Sequence, residues 1–475
     1  MYINGEWRNA LSKKSFESIN PATGEVIDTV PDGNAEDATL AIDAANNAFP
    51  SWAGKTAYER SAILYKAWQL MIQRKGELAR LMTIEQGKPL RAAANETQYA
   101  ADFLLWYAEE AKRVYGETIP SARGDQRFII SKAPVGVVAA ITPWNYPISM
   151  LTRKLGPALA AGCTVVLKPA EATPLCAIAV YKILEEAGVP PGVINLVTAK
   201  DPKPIGDVFT SDPRIAKITF TGSTAVGRTL AKEAGHNLKR ISMELGGHAP
   251  FIVWEDADPT HAAKGASLVK FLNTGQACIS PNRIFVQRRI LGPFLDTLRG
   301  RVEKLKAGDG MDPGNSIGPL INEAAIDKVD RQVQDAVAKG GTLLAGGARL
   351  TADGLDAGCF YSATLLSDIT PDMLIYREET FGPVAAVVPF DDADDVIAMA
   401  NDTDYGLAAY VYTQNLSRAL KTFEQLQFGI IGINDINPTS AAAPFGGMKE
   451  SGLGREGARE GIEEYLETKL GGISI

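Results

Sequence analysis

Short apolar segments alternate with longer amphipathic ones between residues 135 and 235, and this alternation constrains the fold more than any other feature. The apolar segments are VGVVAAI (135–141), CTVVLKP (163–169), VINLVT (193–198) and IAKITFTG (215–222). Predicted helices follow them near 149–161, 173–187, 203–210 and 223–235. Strands that are apolar on both faces must be covered on both faces, so the pattern predicts a parallel, doubly wound α/β sheet. Ligands of such sheets bind beyond the carboxyl ends of the strands.

A second series of the same kind begins at ISMELGGHAPFIV (241–253) and ends near GIIGIN (429–434). It runs through FVQ (285–287), a predicted helix near 322–339, LLAGG and AAVVPF (385–390). The two glycines of ELGG make that stretch the predicted hinge between the halves. Residues 35–116 are predicted to be helical, because apolar residues recur there at three- and four-residue spacing. Their apolar faces are expected to pack against a sheet.

Length and charge exclude several classes of protein. The 475 residues are too many for one simple core, so two or three domains are expected. The net charge of −8 argues against nucleic acid or an anionic membrane as the main partner. No apolar run approaches the roughly 18 residues of a membrane span. The first residues, MYINGEWRNA, lack the pattern of a signal peptide, so a cytoplasmic location is expected.

The cysteines and histidines are few and scattered. The four cysteines form no metal knuckle, CxxC pair or disulfide framework; they are Cys163, Cys176, Cys278 and Cys359. The three histidines form no metal motif, so no metal is expected. With so little histidine, a catalytic base is more plausibly a carboxylate or a lysine.

Three residues have surroundings that favour chemistry. Cys278 lies in a polar stretch, FLNTGQACISPNR, where a thiolate nucleophile would be accessible, although a lone cysteine is more often a small buried hydrophobe. Glu244 precedes two glycines, and a carboxylate in a partly apolar site can act as a general base on water. Asn145 lies between two prolines in PWNYP, where its amide suits a developing oxyanion or simply caps its own turn.

Two further motifs favour a dinucleotide. Gly222 and Gly227, in TFTGSTAVG, flank a strand-to-helix turn whose free N–H groups suit a pyrophosphate, although such a turn is often only a turn. The GxGxxG fingerprint is absent. Lys168 and Glu171, in LKPAE, follow a predicted strand where an adenosine ribose would lie. A carboxylate there accepts from ribose hydroxyls and disfavours the 2′-phosphate of NADP; the alternative is a surface ion pair.

Seven stretches of the chain, taken together, resemble the aldehyde dehydrogenase superfamily. They are PWNYP, KPAE, FTGSTAVG, MELGG, GQAC, EETFGPV and PFGGMKESGLGREG. They occur in the family's order and at its spacing over nearly the whole chain. Single motifs are weak signals, but seven in order make chance agreement negligible and outweigh the structural alternatives given above.

The resemblance implies an α/β fold of three parts. A doubly wound, NAD-binding domain takes residues 1–117 and 137–246, and a doubly wound catalytic domain takes 247–451. A small oligomerisation β-sheet takes 118–136 and 452–475. The C-terminal YLETKLGGISI alternates like an edge strand, and an exposed edge favours pairing with another chain. A homodimer or homotetramer is therefore expected.

The resemblance also implies a reaction, the oxidation of an aldehyde to the acid. Cys278 attacks the aldehyde carbon, and Asn145 and the Cys278 backbone N–H hold the oxyanion. Hydride then passes to the nicotinamide and leaves a thioester, and Glu244 activates the water that releases the acid. Lys154 matches the family's second active-site lysine.

The expected cofactor is NAD, with NADP also admitted. Ser223 matches the family's pyrophosphate-side serine, while Glu379 and Phe381 match the pair that positions the nicotinamide ribose and ring. The full set of expected cofactor contacts is Thr142, Pro143, Trp144, Lys168, Glu171, Gly222, Ser223, Gly246, Glu379 and Phe381.

Within the family, the chain is most similar to the succinate-semialdehyde dehydrogenase group. Arg153 matches one of the two arginines with which that group holds the substrate carboxylate, and arginine suits such binding. The position of the other arginine is occupied by Leu272. The group's hydroxyl contact maps to Thr439 or Ser440. A second cysteine found in some members is Ser280 here, so a vicinal-disulfide switch is not expected.

Four hypotheses follow. The first is an NAD-dependent dehydrogenase of succinate semialdehyde or a related ω-semialdehyde, and the second is a dehydrogenase of an aromatic or aliphatic aldehyde without a distal carboxylate. The third is a CoA-acylating relative, against which Glu244 argues, because that branch typically lacks the hydrolytic carboxylate. The fourth is a catalytically silent member of the fold, against which Cys278, Glu244 and Asn145 argue together.

Overall fold

The computed structural model describes residues 1–475, which fold into an α/β molecule with two large sheets. The strands are β1 (Tyr2–Ile3), β2 (Glu6–Trp7), β3 (Ser15–Ile19), β4 (Val26–Pro31), β5 (Glu117–Ile119), β6 (Gln126–Pro134), β7 (Val137–Ile141), β8 (Thr164–Lys168), β9 (Ile194–Leu196), β10 (Ile215–Thr221), β11 (Arg240–Glu244), β12 (Ala249–Val253), β13 (Pro281–Gln287), β14 (Thr342–Ala345), β15 (Thr364–Ser367), β16 (Val384–Phe390), β17 (Ala408–Tyr412), β18 (Ile430–Ile433), β19 (Gly452–Leu453) and β20 (Leu466–Ser474).

Helices cover both faces of the large sheets. They are α1 (Ala35–Ala53), α2 (Ala57–Gln73), α3 (Lys75–Gln86), α4 (Leu90–Glu110), α5 (Ser149–Ala161), α6 (Pro174–Ala187), α7 (Lys203–Ser211), α8 (Thr224–His236), α9 (Pro259–Lys270), α10 (Leu291–Val302), α11 (Glu323–Ala338), α12 (Leu374–Arg377), α13 (Val396–Asn401), α14 (Leu416–Gln425) and α15 (Ala458–Glu463). Short 3-10 turns lie at Ala111–Arg113, Leu272–Gly275, Arg288–Ile290 and Lys449–Ser451. None of the helices is both long and apolar enough to cross a bilayer.

The first large sheet has the strand order β19-β11-β10-β7-β8-β9-β1-β2. Its five central strands, β11 to β9 in that order, are parallel, which confirms the four strands predicted from the alternating segments. Helices α5 and α6 end at Gly162 and Gly188, both left-handed with φ 99°. Glycine adopts that conformation without steric cost, so these residues end the helices and let the chain return to the sheet.

The second large sheet has the order β14-β15-β16-β13-β12-β17-β18, with only β14 antiparallel to its neighbour. The expectation that ISMELGGHAPFIV as a whole opens this series was wrong. Its first half is β11 of the first sheet, and only its second half, β12, belongs to the second sheet. The chain passes from the first sheet to the second at ELGG, the stretch that was predicted to be the hinge. There Gly247 lies against the Cys278 backbone, and a Cβ on it would collide with the Cys278 carbonyl oxygen.

The third sheet is small and antiparallel, with the order β20-β6-β5. Strand β20 pairs with all nine residues of β6, from Leu466 opposite Pro134 to Ser474 opposite Gln126. The segment 452–465 does not belong to it. Strand β19 pairs antiparallel with β11 in the first sheet, and Ala458–Glu463 is helical. The expected fold class, two doubly wound α/β sheets and a small separate sheet, is confirmed.

Candidate active site

Four neighbouring parallel strands of the first sheet end in one row, and the candidate site lies beyond it. Glu244, the last residue of β11, is opposite Thr221 of β10. The next strand, β7, ends at Ile141, which is opposite Phe220 of β10 and is paired on its other side with Lys168, the last residue of β8. The predicted site residues therefore converge because the carboxyl ends of parallel strands share one edge of the sheet.

Two clefts meet at Cys278. We call the first the aromatic cleft; it has a volume of about 490 Å³, and its lining includes Tyr99, Arg153, Leu272, Thr439 and Phe445. We call the second the glycine cleft; it has a volume of about 360 Å³, and its lining includes Gly222, Ser223, Gly246, Glu379 and Phe381. Cys278 and Met150 line both clefts. A group bound in either cleft would therefore reach the Cys278 thiol.

The turn before Cys278 has an uncommon backbone. Asn273, Thr274 and Gly275 all have positive φ, at 49°, 57° and 76°. For residues with a Cβ this conformation costs about 1–2 kcal/mol each, so other bonds must hold it. The Thr274 hydroxyl donates to the Gly318 carbonyl at 3.1 Å and accepts from its N–H at 3.0 Å. These bonds fix the loop that carries the cysteine.

Cys278 is partly exposed as a residue, but the surroundings of its thiol oppose ionisation. Burial raises the pKa of Cys278 to about 12; Arg153 acts in the opposite direction, and Glu244 and Glu379 add to the rise. The thiol is therefore protonated at neutral pH in the protein without ligands. It becomes a strong nucleophile only when a base takes its proton or a cation comes near.

Asn145 lies beside the cysteine loop. Its side-chain amide donates to the Gln276 carbonyl at 3.2 Å, two residues before Cys278. The preceding Trp144 packs edge-on against the Phe381 ring, with centroids 5.6 Å apart. The structure therefore brings Asn145 and Cys278 together at the junction of the two clefts, where an amide N–H could bind a developing oxyanion.

Glu244 is buried near Cys278, whose pKa its charge affects, although it lines neither cleft. A Cβ on Gly446 would stand 2.9 Å from Glu244 Oε1, while Oε2 has no hydrogen-bond partner. Burial raises the pKa of Glu244 well above its ordinary range, and the Glu456 charge adds to this rise; Arg153 and Lys154 oppose it. A carboxyl group with a raised pKa beside a reactive thiol is suited to exchanging protons.

Glu456 is a central residue of the site that the sequence analysis did not single out. Its carboxylate lies 2.8 Å from Arg153 Nε and 2.6 Å from Lys154 Nζ, and all three side chains are buried. Burial opposes the ionisation of Glu456, but Lys154 and Arg153 outweigh it, and the net pKa is lowered. Lys154 also donates to the Thr219 hydroxyl at 3.2 Å, so it lies behind the aromatic cleft rather than in its lining.

Arg153 lines the aromatic cleft. Its guanidinium stacks on the Phe445 ring at 3.9 Å and lies 5.7 Å from the Phe103 ring. Glu456 Oε2 lies 2.8 Å from Nε as an ion pair, but the two atoms are not aligned for a hydrogen bond, and both Nε and Nη2 are buried without a hydrogen-bond partner. Tyr99 also lines the cleft, and its hydroxyl is likewise buried without an aligned hydrogen-bond partner. A buried, unpartnered donor is costly, so a bound ligand would be stabilised by accepting from it.

The other predicted substrate contacts differ in position. Leu272 lies at the rim of the aromatic cleft with 41% of its surface exposed, near Leu268, which is 48% exposed. Thr439 lines the cleft. Burial raises the pKa of Tyr99, and the nearby Thr439 hydroxyl opposes this rise. Ser440 is exposed and lies outside the lining, so of the two hydroxyls expected only Thr439 is in the cleft.

Seven of the expected cofactor contacts line the glycine cleft: Pro143, Trp144, Gly222, Ser223, Gly246, Glu379 and Phe381. The remaining three lie beside it, at the ends of β7 and β8. The Thr142 N–H donates to the Lys168 carbonyl at 3.2 Å, and Lys168 Nζ lies 3.0 Å from Glu171 Oε2. This row continues the cleft toward the place expected for an adenosine ribose.

The glycine cleft fits a dinucleotide. It also contains two threonines that the sequence analysis missed, Thr221 and Thr380, whose hydroxyls are buried without hydrogen-bond partners. Helix Thr224–His236 begins at its edge, capped by Ser223, and a helix N-terminus favours a phosphate. Glu379 Oε1 accepts from the Gly247 N–H at 2.8 Å, which leaves its other oxygen for a sugar hydroxyl. No group of three or more His, Cys, Asp or Glu side chains is arranged to hold a metal ion.

The fold and this site define an NAD(P)-dependent oxidoreductase of aldehydes. Its family follows from comparison: the model described as the aldehyde dehydrogenase family matches residues 7–470, and the chain belongs to that family. The glutarate-semialdehyde dehydrogenase of Pseudomonas putida is 48% identical over 474 residues, which cover 100% of this chain and 97% of that protein.

Two further comparisons agree. The succinate-semialdehyde dehydrogenase [NADP(+)] of Escherichia coli K12 is 49% identical, over 98% of this chain and 96% of that protein. A solved structure described as an NADP-dependent enzyme of E. coli superposes with a TM-score of 0.97 at 48% identity, covering 100% of this chain and 98% of that one. The sequence-based assignment to the aldehyde dehydrogenase family, with greatest similarity to the semialdehyde group, is confirmed.

Proposed function

We propose that the protein oxidises a short ω-semialdehyde, such as succinate or glutarate semialdehyde, to the dicarboxylic acid, with NAD as the preferred electron acceptor. The observation that carries this proposal is the Arg153 guanidinium, which lines the aromatic cleft together with Cys278 and has buried N–H donors without hydrogen-bond partners. Two relatives that are 48–49% identical are named for these two semialdehydes.

The charges around Arg153 favour an anionic substrate. Arg153 and Lys154 are both paired with the single carboxylate of Glu456. Burial raises the pKa of Glu244, the other nearby carboxyl group, well above its ordinary range, which disfavours its charged form. The cluster therefore has more positive than negative charge, and a substrate carboxylate would balance it. A charge-assisted hydrogen bond of this kind contributes about 1.5–3 kcal/mol.

Tyr99 and Thr439 would complete the carboxylate site. Both line the aromatic cleft, and the Tyr99 hydroxyl has no partner by geometry. Its ring packs edge-on against Phe103 with centroids 4.9 Å apart, which restricts where the hydroxyl can lie. One guanidinium and two hydroxyls would thus take the role that a second arginine would have at Leu272.

The proposed reaction uses the residues at the junction of the clefts. Glu244 in its deprotonated form takes the proton of the Cys278 thiol and passes it to solvent, and the thiolate adds to the aldehyde carbon while the Asn145 amide and the Cys278 N–H donate to the resulting oxyanion. A bound NAD(P) supplies the hydride acceptor, and it would be held by the residues that line the glycine cleft. The acyl group then remains on Cys278 as a thioester. Glu244, once deprotonated, takes a proton from the attacking water, and the acid leaves as the thiolate is restored.

The preference for NAD rests on Glu171. Its carboxylate is about half exposed and held by Lys168, so it can accept from ribose hydroxyls. A 2′-phosphate beside it would be repelled, although Lys168 would attract the same phosphate. We therefore propose that NAD is favoured and that NADP is also used. The small sheet, with β20 at its edge, is the proposed contact for a homodimer or homotetramer.

A second candidate is a dehydrogenase of aldehydes with an apolar far end. Leu272 and Leu268 at the rim of the aromatic cleft favour it, because they offer an alkyl chain or ring an apolar surface. In that case Arg153 would act only through Glu456 and the electrostatics of Cys278.

Steady-state kinetics separate the two candidates. The substrates are succinate and glutarate semialdehydes against butanal and pentanal, each with NAD and with NADP. We expect kcat/KM to favour the semialdehydes about tenfold to a hundredfold, and Arg153→Lys to remove most of that preference. Equal or better kcat/KM with the neutral aldehydes would favour the second candidate.

A further inference from the structure

A buried ion pair at the base of the aromatic cleft has no part in the reaction proposed above. Lys88 and Glu96 are in contact through Nζ and Oε2, and each side chain is 1% exposed. Lys88 follows Gly87, the left-handed end of α3, and Glu96 lies in α4. Both also line the aromatic cleft. Burying two charges is expensive, and an apolar pair of similar volume is often as stable, so stability alone explains the pair poorly.

Lys88 makes a second contact that connects it to the oxyanion site. Its ammonium donates to the backbone carbonyl of Asn145 at 2.7 Å and lies 4.1 Å from the centre of the Tyr146 ring. The loop that carries the Asn145 amide is therefore held at its own carbonyl by a buried cation.

Glu96 fixes the other end of the same loop. Its Oε1 accepts from the N–H groups of Ile148 at 3.1 Å and Ser149 at 3.2 Å. These are the first free N–H groups of helix Ser149–Ala161, and a carboxylate at a helix N-terminus is favourable. The ion pair thus holds both sides of the short segment between Asn145 and the helix.

Asn273 joins this arrangement to the cysteine loop. Its side-chain amide donates to the Asn145 carbonyl at 2.9 Å and to the Gln276 carbonyl at 3.2 Å. The Asn145 amide donates to the same Gln276 carbonyl. The position of Asn145 relative to Cys278 is therefore set by contacts that all pass through the Asn145 and Gln276 carbonyls.

We propose that Lys88, held by Glu96, is a positioning residue that sets where the Asn145 amide stands relative to Cys278. The proposal rests on the oxyanion role of Asn145 proposed above. A displacement of about 1 Å at a reacting centre can cost a hundredfold in rate, so loss of the Lys88 contact should slow the step that needs the oxyanion donor.

The test compares Lys88→Met, Lys88→Arg and Asn145→Ala with Lys217→Met as a matched control. Lys217 is equally buried and ion-paired, with Glu464, and lies outside both clefts. The readouts are the rate of the first NADH burst, KM, and the melting temperature. We expect Lys88→Met to slow the burst about 10- to 100-fold with KM changed less than threefold, and Lys88→Arg to restore much of the rate.

The double variant Lys88→Met/Asn145→Ala tests the route of the effect. If Lys88 acts through Asn145, the double variant is no slower than Asn145→Ala alone. Three results would each overturn the proposal. The first is a double variant whose loss of burst rate is the product of the two single losses. The others are a burst in Lys88→Met within twofold of wild type, and a loss of burst rate in Lys217→Met equal to that in Lys88→Met. A normal burst in Asn145→Ala would instead overturn the oxyanion role itself, which separates the two failures.

A second variant covers the case in which Lys88→Met does not fold. Asn273→Ala keeps the ion pair and removes the other donor to the Asn145 carbonyl. We expect a burst about tenfold slower, again with little change in KM. An unchanged burst in Asn273→Ala, with Lys88→Met insoluble, would mean that the Asn145 carbonyl needs no such support and would overturn the proposal.

Discussion

The Glu456 carboxylate lies 2.6 Å from the Lys154 ammonium, although the two residues are 302 positions apart. The same carboxylate pairs with Arg153, and its charge contributes to the raised pKa of Glu244. One residue near the C-terminus therefore pairs with the cation that we propose for the substrate carboxylate and also influences the proposed base. This relationship leads to the first prediction.

Glu456→Gln should have two separable effects. Unfolding should become easier by about 3–5 kcal/mol, because Arg153 and Lys154 lose a buried counter-charge. The pKa of Glu244 should also fall, because a neighbouring negative charge is gone. A general base with a lower pKa is deprotonated at lower pH, so the acid limb of the kcat profile should move to lower pH. An acid limb that stays in place or moves upward would contradict the coupling.

Tyr99→Phe should reduce kcat/KM for succinate or glutarate semialdehyde about 5- to 20-fold and change pentanal less than twofold. The variant removes one hydroxyl that we place at the substrate carboxylate and leaves the ring in contact with Phe103. Steady-state kinetics on the two substrate classes measure the effect. Tyr107→Phe is the control, because Tyr107 lies on the same helix with a buried hydroxyl but outside the cleft lining. An equal loss for both substrate classes would remove Tyr99 from the carboxylate site.

Inactivation by iodoacetamide in the absence of cofactor should become about tenfold faster per pH unit between pH 7 and 9. Only the thiolate reacts. Because the pKa of Cys278 is about 12, the thiolate fraction rises about tenfold per pH unit throughout this range. Loss of activity is the measurement, since Cys359 is also partly exposed. A plateau below pH 9 would mean that the thiolate of Cys278 is already formed. Arg153→Leu should slow the reaction at every pH, because Arg153 stabilises the thiolate.

Local sequence patterns predicted much of this molecule. Continuous apolar segments predicted the central strands of the first sheet, and the rule for strand ends predicted a ligand site beside Glu244 and the Asn145 loop. The role of Cys278, which lies in the loop before β13, came from the family resemblance. The partners of these residues were not predictable in the same way. Nothing in GREG indicates that Glu456 is buried against Arg153, because a contact over 300 residues leaves no trace in local periodicity.

The burial of Lys88 was also not predictable from the local sequence. A lysine directly after a helix-ending glycine is typical of a solvated turn, and only the packing of α4 and the Asn145 loop around it makes it buried. Arg153 was predicted only as a substrate contact, whereas its guanidinium is also paired with the buried carboxylate of Glu456. Charges that are buried together are determined by tertiary structure, and burial decides their chemistry.

Leu272→Arg should restore a second cation at the rim of the aromatic cleft. Leu272 is 41% exposed, so solvent will screen the new charge, and we expect kcat/KM for succinate semialdehyde to rise only about three- to tenfold. The value for pentanal should fall, because an apolar contact is lost. Leu268→Arg is the matched control: it adds the same charge at the same rim, one turn earlier, and should give less than half of the gain. The gain should also shrink at high ionic strength. If Leu272→Arg leaves the preference for the semialdehyde unchanged while Arg153→Lys removes it, the carboxylate lies wholly on the Arg153 side of the cleft, beyond the reach of a side chain at position 272.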